Sequence, residues 1–358
     1  MPLLGRHILS SEQFERGDLD QLFALADRLR PAARGLASCR VLEGAVLASL
    51  FFEPSTRTRL SFESAFAKLG GSVISTSSGD ATSVSKGESL ADTSRVVSGY
   101  SDVLVVRHPA EPALREFAGA TRVPVINGGN GAGEHPTQAL LDLYTLEREC
   151  ARLGTPLDGR RIALVGDLRH GRTVHSLVRL LSLYRDLTLV CVSPAALRMP
   201  ADLLALCAAR GHRVEETDRP DTGLRNADVV YATRLQRERL GGESPEYGEE
   251  FRITGALVDA CCHEGTVLMH PLPRDTRPGA IDLDPDLDAD PRLAVFRQTD
   301  GGVAVRMALF ASVLGVAEEA VAALRPAGWY RPEQIGVQDA PFHRVRDLDG
   351  AGPEAAVR

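Results

Sequence analysis

Short apolar runs alternate with helical patterns along most of this chain. The runs stand at Val46–Phe52, Ser72–Thr76, Asp102–Val106, Val123–Ile126, Arg161–Gly166, Leu187–Val192, Asp228–Ala232 and Thr266–Met269. Ahead of the first, Leu19, Leu22, Phe23, Ala26 and Leu29 form an apolar stripe at helical spacing. Strands separated by helices need crossover connections, so they pair in parallel. The runs fall into two groups, before and after a helical pattern over Pro136–Ala151, and Asp158-Gly159-Arg160 reads as the turn into the second. The expected fold class is therefore α/β, with two doubly wound parallel-sheet domains. Ligands of such sheets sit outside the carboxyl ends of the strands.

The richest chemistry stands at the end of the first run. Glu53-Pro54 breaks the strand, and Ser55-Thr56-Arg57-Thr58-Arg59 opens a helical pattern. Free backbone N–H groups at a helix start, three hydroxyls and guanidinium forks make an anion site suited to phosphate. Ser-Thr alone would read as an ordinary helix cap; the interleaved arginines turn the reading toward a phosphoryl group. Other polar motifs follow strands in the same way. They are Ser85-Lys86-Gly87-Glu88, Val106-Arg107-His108-Pro109, His135-Pro136-Thr137-Gln138, Gly171-Arg172-Thr173, Thr233-Arg234-Leu235-Gln236 and His270-Pro271-Leu272-Pro273.

Composition narrows the class of protein. A chain of 358 residues with 44% hydrophobic content can bury two cores. A net charge of −7 argues against nucleic-acid binding, which needs a basic surface. Of 41 basic residues only Lys68 and Lys86 are lysines, so a Lys in a polar loop stands out. Six scattered cysteines, with Cys261-Cys262-His263 their closest grouping, suggest neither disulfides nor a metal centre. No leader-like segment or membrane-length apolar run is legible, and a soluble cytoplasmic protein without membrane contact is expected.

Taken in order, these motifs resemble the aspartate/ornithine carbamoyltransferase family, from about His7 to Val316, and its aspartate branch most closely. The resemblance implies transfer of a carbamoyl group from carbamoyl phosphate to L-aspartate, a step of pyrimidine biosynthesis. It implies no cofactor and no metal. The active site would lie in the crevice between the two domains. A carbamoyl-phosphate domain would span 1–150, completed by a returning helix at Val303–Ala323; an aspartate domain would span 151–302. The extension 324–358 holds Trp329, the chain's one tryptophan, and has no legible role.

The resemblance also implies residue roles. Ser55, Thr56, Arg57, Thr58, Arg107, His135, Gln138, Leu272 and Pro273 would bind carbamoyl phosphate. Among them Arg57, Thr58, Arg107 and His135 would be catalytic: Thr58, Arg107 and His135 at the developing oxyanion, Arg57 at the departing phosphate. Gln138 would read the carbamoyl NH2. On residues alone Arg107 is open between a structural ion pair and a functional cation. Lys86, Arg172, Arg234 and Gln236 would hold aspartate, one guanidinium fork per carboxylate. Arg237 and Arg239 read as a solvated face.

The loop 77–88 is small and polar, with little to anchor it, and suits a lid. In the family it supplies a Ser and a Lys to the neighbouring subunit, here Ser83 and Lys86, with Thr82 and Ser85 adjacent in register. A homotrimer or a multiple of trimers follows, with room for a regulatory or dihydroorotase partner chain. Gly128-Gly129-Asn130-Gly131-Ala132-Gly133 departs from a dinucleotide fingerprint and reads as backbone room for a small ligand. Asn130 stands where the family usually has Asp.

Three rivals differ in class. An ornithine-type enzyme would carry a Cys where His270-Pro271-Leu272-Pro273 stands, and would want a carboxylate near Arg234. A catalytically dead scaffold should have lost matched residues. A nucleotide-binding module should show a phosphate loop of the GxxxxGK[ST] kind, and none is present.

Overall fold

The computed structural model describes residues 3–76, 83–237, 248–275, 277 and 282–329. A two-stranded antiparallel ribbon joins β1 (Ala37–Ser38) to β11 (Arg325–Pro326) near the end of the described chain. The first residues of the extension thus belong to the fold; 330–358 lie outside the described residues.

The first sheet holds β2 (Val46–Phe51), β3 (Ser72–Thr76), β4 (Val103–His108) and β5 (Val125–Asn130), all parallel, in the order β3-β2-β4-β5. The second holds β6 (Arg161–Val165), β7 (Thr188–Val192), β8 (Arg213–Thr217), β9 (Val229–Ala232) and β10 (Val267–Met269), also parallel, in the order β10-β9-β6-β7-β8. In each sheet the chain steps outward from one strand and then returns to its other side. The reversal falls between β2 and β4 in the first sheet and between β6 and β9 in the second. Those switch points open a crevice at the strands' carboxyl ends, the general ligand position of such folds.

α1 (Arg16–Ala33) precedes the first sheet, whose crossovers are α2 (Thr56–Lys68), α3 (Leu90–Val97) and α4 (Ala113–Ala120). α5 (Pro136–Arg152) links the two sheets, and the second is crossed by α6 (Arg172–Leu181), α7 (Ala201–Ala209), the single turn α8 (Pro220–Gly223) and α9 (Gly255–Cys261). With both faces covered, the central strands are apolar nearly throughout: β2 and β4 bury Leu47, Leu50, Leu104 and Val106. The stripe read on α1 is buried at each of its five positions.

Two expectations need correction. β8 has no counterpart among the eight runs, because Arg213-Val214-Glu215-Glu216-Thr217 is a charged edge strand, half exposed rather than apolar. The helix expected over Val303–Ala323 is two helices, α10 (Val295–Val313) and α11 (Ala317–Ala322). The reading began too late because Gly301 and Gly302, poor helix formers, sit inside α10, where an added Cβ would crowd Tyr144 and Leu141 of α5. It ends where Gly315 takes φ 74°. α10 packs on α1, α2 and α5, with Phe310 edge-on to Phe62 and Phe66 at 5.8 and 5.0 Å.

Candidate active site

A cleft of about 1260 Å³ opens between the two switch points. After β2 the chain turns through Glu53-Pro54 and enters α2 at Thr56, with extended Ser55 at the cap position (φ −161°). Among the described residues the Ser55 side chain makes no capping bond, so its hydroxyl is open to a ligand. Ser55, Thr56, Arg57 and Thr58 all line the cleft, as do Arg107, His135, Gln138, Arg172, Arg234, Gln236, Leu272 and Pro273. Every motif except Ser85-Lys86-Gly87-Glu88 therefore converges on one place.

Each side chain is set by its local structure. Arg107, the penultimate residue of β4, points Nε at Glu53 Oε2 (3.2 Å) and Nη1 at the Gly128 carbonyl (3.4 Å). Arg172 is the first residue of α6 and is buried; its Nη1 donates to the Gly131 carbonyl and lies 3.8 Å from Glu53 Oε2. His135 caps α5 ahead of Pro136. Its backbone N–H donates to Ser176 Oγ, and its Nε2 stands 3.4 Å from Thr58 Oγ1. Arg234 and Gln236 follow β9. Their loop is held by buried Asp167, whose Oδ2 accepts from the Gln236 N–H (3.0 Å) and whose Oδ1 accepts from the His170 N–H (3.0 Å).

The cleft wall opposite is the His270–Pro273 turn. Buried His270 contacts Asp282 through Nε2 (3.1 Å), and its Nδ1 accepts from the Leu272 N–H (2.8 Å). Leu272 takes φ 58° and a cis peptide joins it to Pro273.

Charge defines the cleft. Five arginines line it (Arg57, Arg107, Arg172, Arg234 and Arg306) against one carboxylate, Glu53, among the described residues. Arg57 is exposed as a residue, yet its guanidinium is partly desolvated by the cleft walls. That burial first, and the facing charge of Arg234 second, lower its pKa. Mutual repulsion of guanidiniums around a cavity is relieved by anionic ligands.

Some readings are modified by the structure. The glycine run is not open ligand space throughout: Gly128, Gly129 and Asn130 finish β5. A Cβ on Gly129 would lie 3.1 Å from both Arg107 Nη1 and Arg172 Nη2, so this glycine makes room for two arginines. Only Gly131 and Ala132 of the run line the cleft among the described residues. Asn130 accepts from the Glu134 N–H through Oδ1 and donates from Nδ2 to the Glu111 carbonyl (3.0 Å), a bond a carboxylate could not make. Lys86 is exposed, in a tight turn over Ser83–Lys86, and does not line its own chain's cleft among the described residues. The Ser83 side chain, Thr82 and Arg239 lie outside the described residues. Arg237 is exposed.

Glu53, Asp167 and Asp282 were not legible as site residues. Each acts across a turn or between loops, and nothing local in the sequence distinguishes such an acid from a surface one. Among the described residues no group of three His, Cys, Asp or Glu could hold a metal ion, and no helix is long and apolar enough to cross a membrane.

Family comparison meets this geometry domain by domain. Residues 6–148 match the model described as aspartate/ornithine carbamoyltransferase, carbamoyl-P binding domain, and 158–313 match its Asp/Orn binding domain. The chain belongs to the aspartate/ornithine carbamoyltransferase family. Within that family it is 51% identical over 348 residues to the aspartate carbamoyltransferase catalytic subunit of Dichelobacter nodosus, covering 97% of this chain and 100% of the relative. It is 53% identical over 332 residues to that of Saccharophagus degradans, covering 92% and 98%. Among solved structures it is similar to aspartate transcarbamoylase from Trypanosoma cruzi in complex with carbamoyl aspartate and phosphate. The TM-score is 0.78 at 42% identity, covering 87% of this chain and 96% of that one.

Proposed function

We propose that this protein transfers the carbamoyl group of carbamoyl phosphate to the amino group of L-aspartate, giving N-carbamoyl-L-aspartate and phosphate for pyrimidine biosynthesis. The observation that carries this reading is the arginine-lined cleft set between two switch points, one per domain. One switch point offers a helix start with hydroxyls and Arg57, suited to phosphate. The other offers Arg172, Arg234 and Gln236, suited to a dicarboxylate.

An ornithine-type substrate would bring an ammonium into this cleft. The described carboxylate there, Glu53, already faces Arg107 and Arg172, at 3.2 and 3.8 Å. Aspartate instead brings the charges the arginines lack.

Carbamoyl phosphate is an activated donor, since phosphate leaves readily. The amine attacks the carbonyl carbon, and negative charge develops on the carbonyl oxygen. Thr58, Arg107 and His135 are assigned to that oxygen, where preorganised donors act most strongly. Arg57 is assigned to the phosphate as the C–O bond breaks. The carbonyls at Leu272 and Pro273, with Gln138, are assigned to the carbamoyl NH2. The departing phosphate accepts the amine's proton. Holding two charged substrates in contact supplies much of the remainder.

The same reading assigns 1–150, completed by 303–323, to the carbamoyl-phosphate domain and 151–302 to the aspartate domain. It makes the protein a cytoplasmic homotrimer, or a multiple of trimers, in which Ser83 and Lys86 complete a neighbour's site, an arrangement supported by the exposure of Lys86 and its absence from its own cleft lining. A panel of amines assayed for carbamoyl-product formation tests the central claim. Aspartate should give the highest kcat/KM; a higher value for ornithine, or for any neutral or basic amine, overturns it.

A further inference from the structure

Beneath the cleft lies a carboxylate that the reaction as proposed does not use. Asp142 stands one turn beyond Gln138 on α5 and is fully buried. Three donors converge on it. Gln138 Nε2 (2.8 Å) and Gln298 Nε2 of α10 (2.6 Å) share Oδ1, and Tyr231 OH of β9 (2.6 Å) takes Oδ2. The buried Arg306 guanidinium of α10 adds an attractive charge. Burial pushes the carboxyl up to about 6, against the pull of its three donors and Arg306. With donors aimed at both of its oxygens, it meets its partners as a carboxylate acceptor.

An ionised carboxylate only accepts hydrogen bonds. An amide facing it must present NH2, and its carbonyl oxygen then points the other way. Gln138 lines the cleft, so the end it offers to a ligand is the Oε1 acceptor. The second amide is fixed by the same logic. Gln298 donates to Asp142, and its Oε1 accepts from the His270 N–H (3.2 Å). His270 in turn holds the Leu272 N–H. One buried charge therefore orients both groups that surround the carbamoyl NH2.

We propose that Asp142 is a positioning residue for carbamoyl selection: it locks the Gln138 amide, and through Gln298 the His270–Pro273 turn, so that acceptors face the donor's NH2. The proposal rests on the functional reading above. A site built to accept from an NH2 group rejects an analogue lacking it, because its acceptors are left unpaired.

Acetyl phosphate, with methyl in place of amino, is the probe. Wild-type enzyme should strongly prefer carbamoyl phosphate. Asp142→Asn keeps the volume but can donate to either amide, which frees Gln138 to turn over. The kcat/KM ratio of carbamoyl to acetyl phosphate should fall roughly tenfold or more, through carbamoyl phosphate, with the KM for aspartate little changed. Tyr231→Phe, which removes one of the bonds to Asp142 and lies outside the cleft lining, should lower the same ratio by a smaller factor; it decides the matter if Asp142→Asn does not fold. A ratio unchanged in the folded variants, or equal loss with both donors, overturns the positioning role. A wild type that forms no carbamoyl aspartate overturns the functional reading itself, and this proposal with it.

Discussion

Arg57 and Arg234 share one cleft and repel one another, yet the proposed reaction gives them different anions. Arg57 projects from the start of α2, where hydroxyls and N–H groups gather for phosphate; Arg234 projects from the loop after β9, pinned through Asp167. Arg57→Ala should lower kcat by about 10³-fold, because the guanidinium at the leaving group acts most in the transition state. Arg234→Ala should raise the KM for aspartate while calorimetry finds carbamoyl-phosphate affinity nearly unchanged; equal loss of both would refute the division. Both were singled out in the sequence, Arg57 by the hydroxyls interleaved with it and Arg234 by the family resemblance, and both line the cleft. Asp142 was not legible. Two of its three partners lie 89 and 156 residues away in sequence, and no local pattern marks a carboxylate held by a distant Tyr and Gln.

At the scale of elements, apolar runs disclosed eight of the nine strands of the two parallel sheets, within a few residues at their ends. The missing one, β8, failed the same test for a physical reason: a solvent-facing edge strand needs no apolar face. The ends of β6 and β9 matter most to the site, since their loops carry Asp167, Arg172, Arg234 and Gln236. They approach closely at Gly166, which has φ 119° and whose added Cβ would lie 2.1 Å from the Thr233 carbonyl oxygen. Neither the backbone angle nor the space admits a side chain. Gly166→Ala should therefore destabilise the fold by roughly 3 kcal/mol through strain and overpacking, read from denaturant midpoints. It should also raise the KM for aspartate more than that for carbamoyl phosphate, because the spread strands are those of the second sheet. A fully stable variant with normal kinetics would show that the loops tolerate separation.

At the scale of the whole molecule, two sheets present their switch points to one crevice, and a single chain supplies every cleft residue described above. Lys86 is the exception that points outward. It is one of two lysines in the chain, exposed, and follows the half-exposed edge strand β3 and the polar sequence 77–82. A compact, mobile ammonium on such a loop has little apolar area to hold it against its own domain. A neighbouring cleft, rich in bound anion charge, would give it a partner. If the subunits form a closed ring in which each loop enters the next cleft, the contact is heterologous and has a direction. Lys86→Ala and Arg57→Ala chains would each be inactive alone. In any trimer containing both, one site of three combines an intact cleft with an intact loop. Equal mixing places about three quarters of the trimers in that class, so roughly a quarter of wild-type activity should return. The measurement is activity after subunit exchange, with mixed assemblies verified by mass. Absence of recovery in verified mixed assemblies would mean that each site is completed by its own chain, and that the exposed lysine serves another purpose.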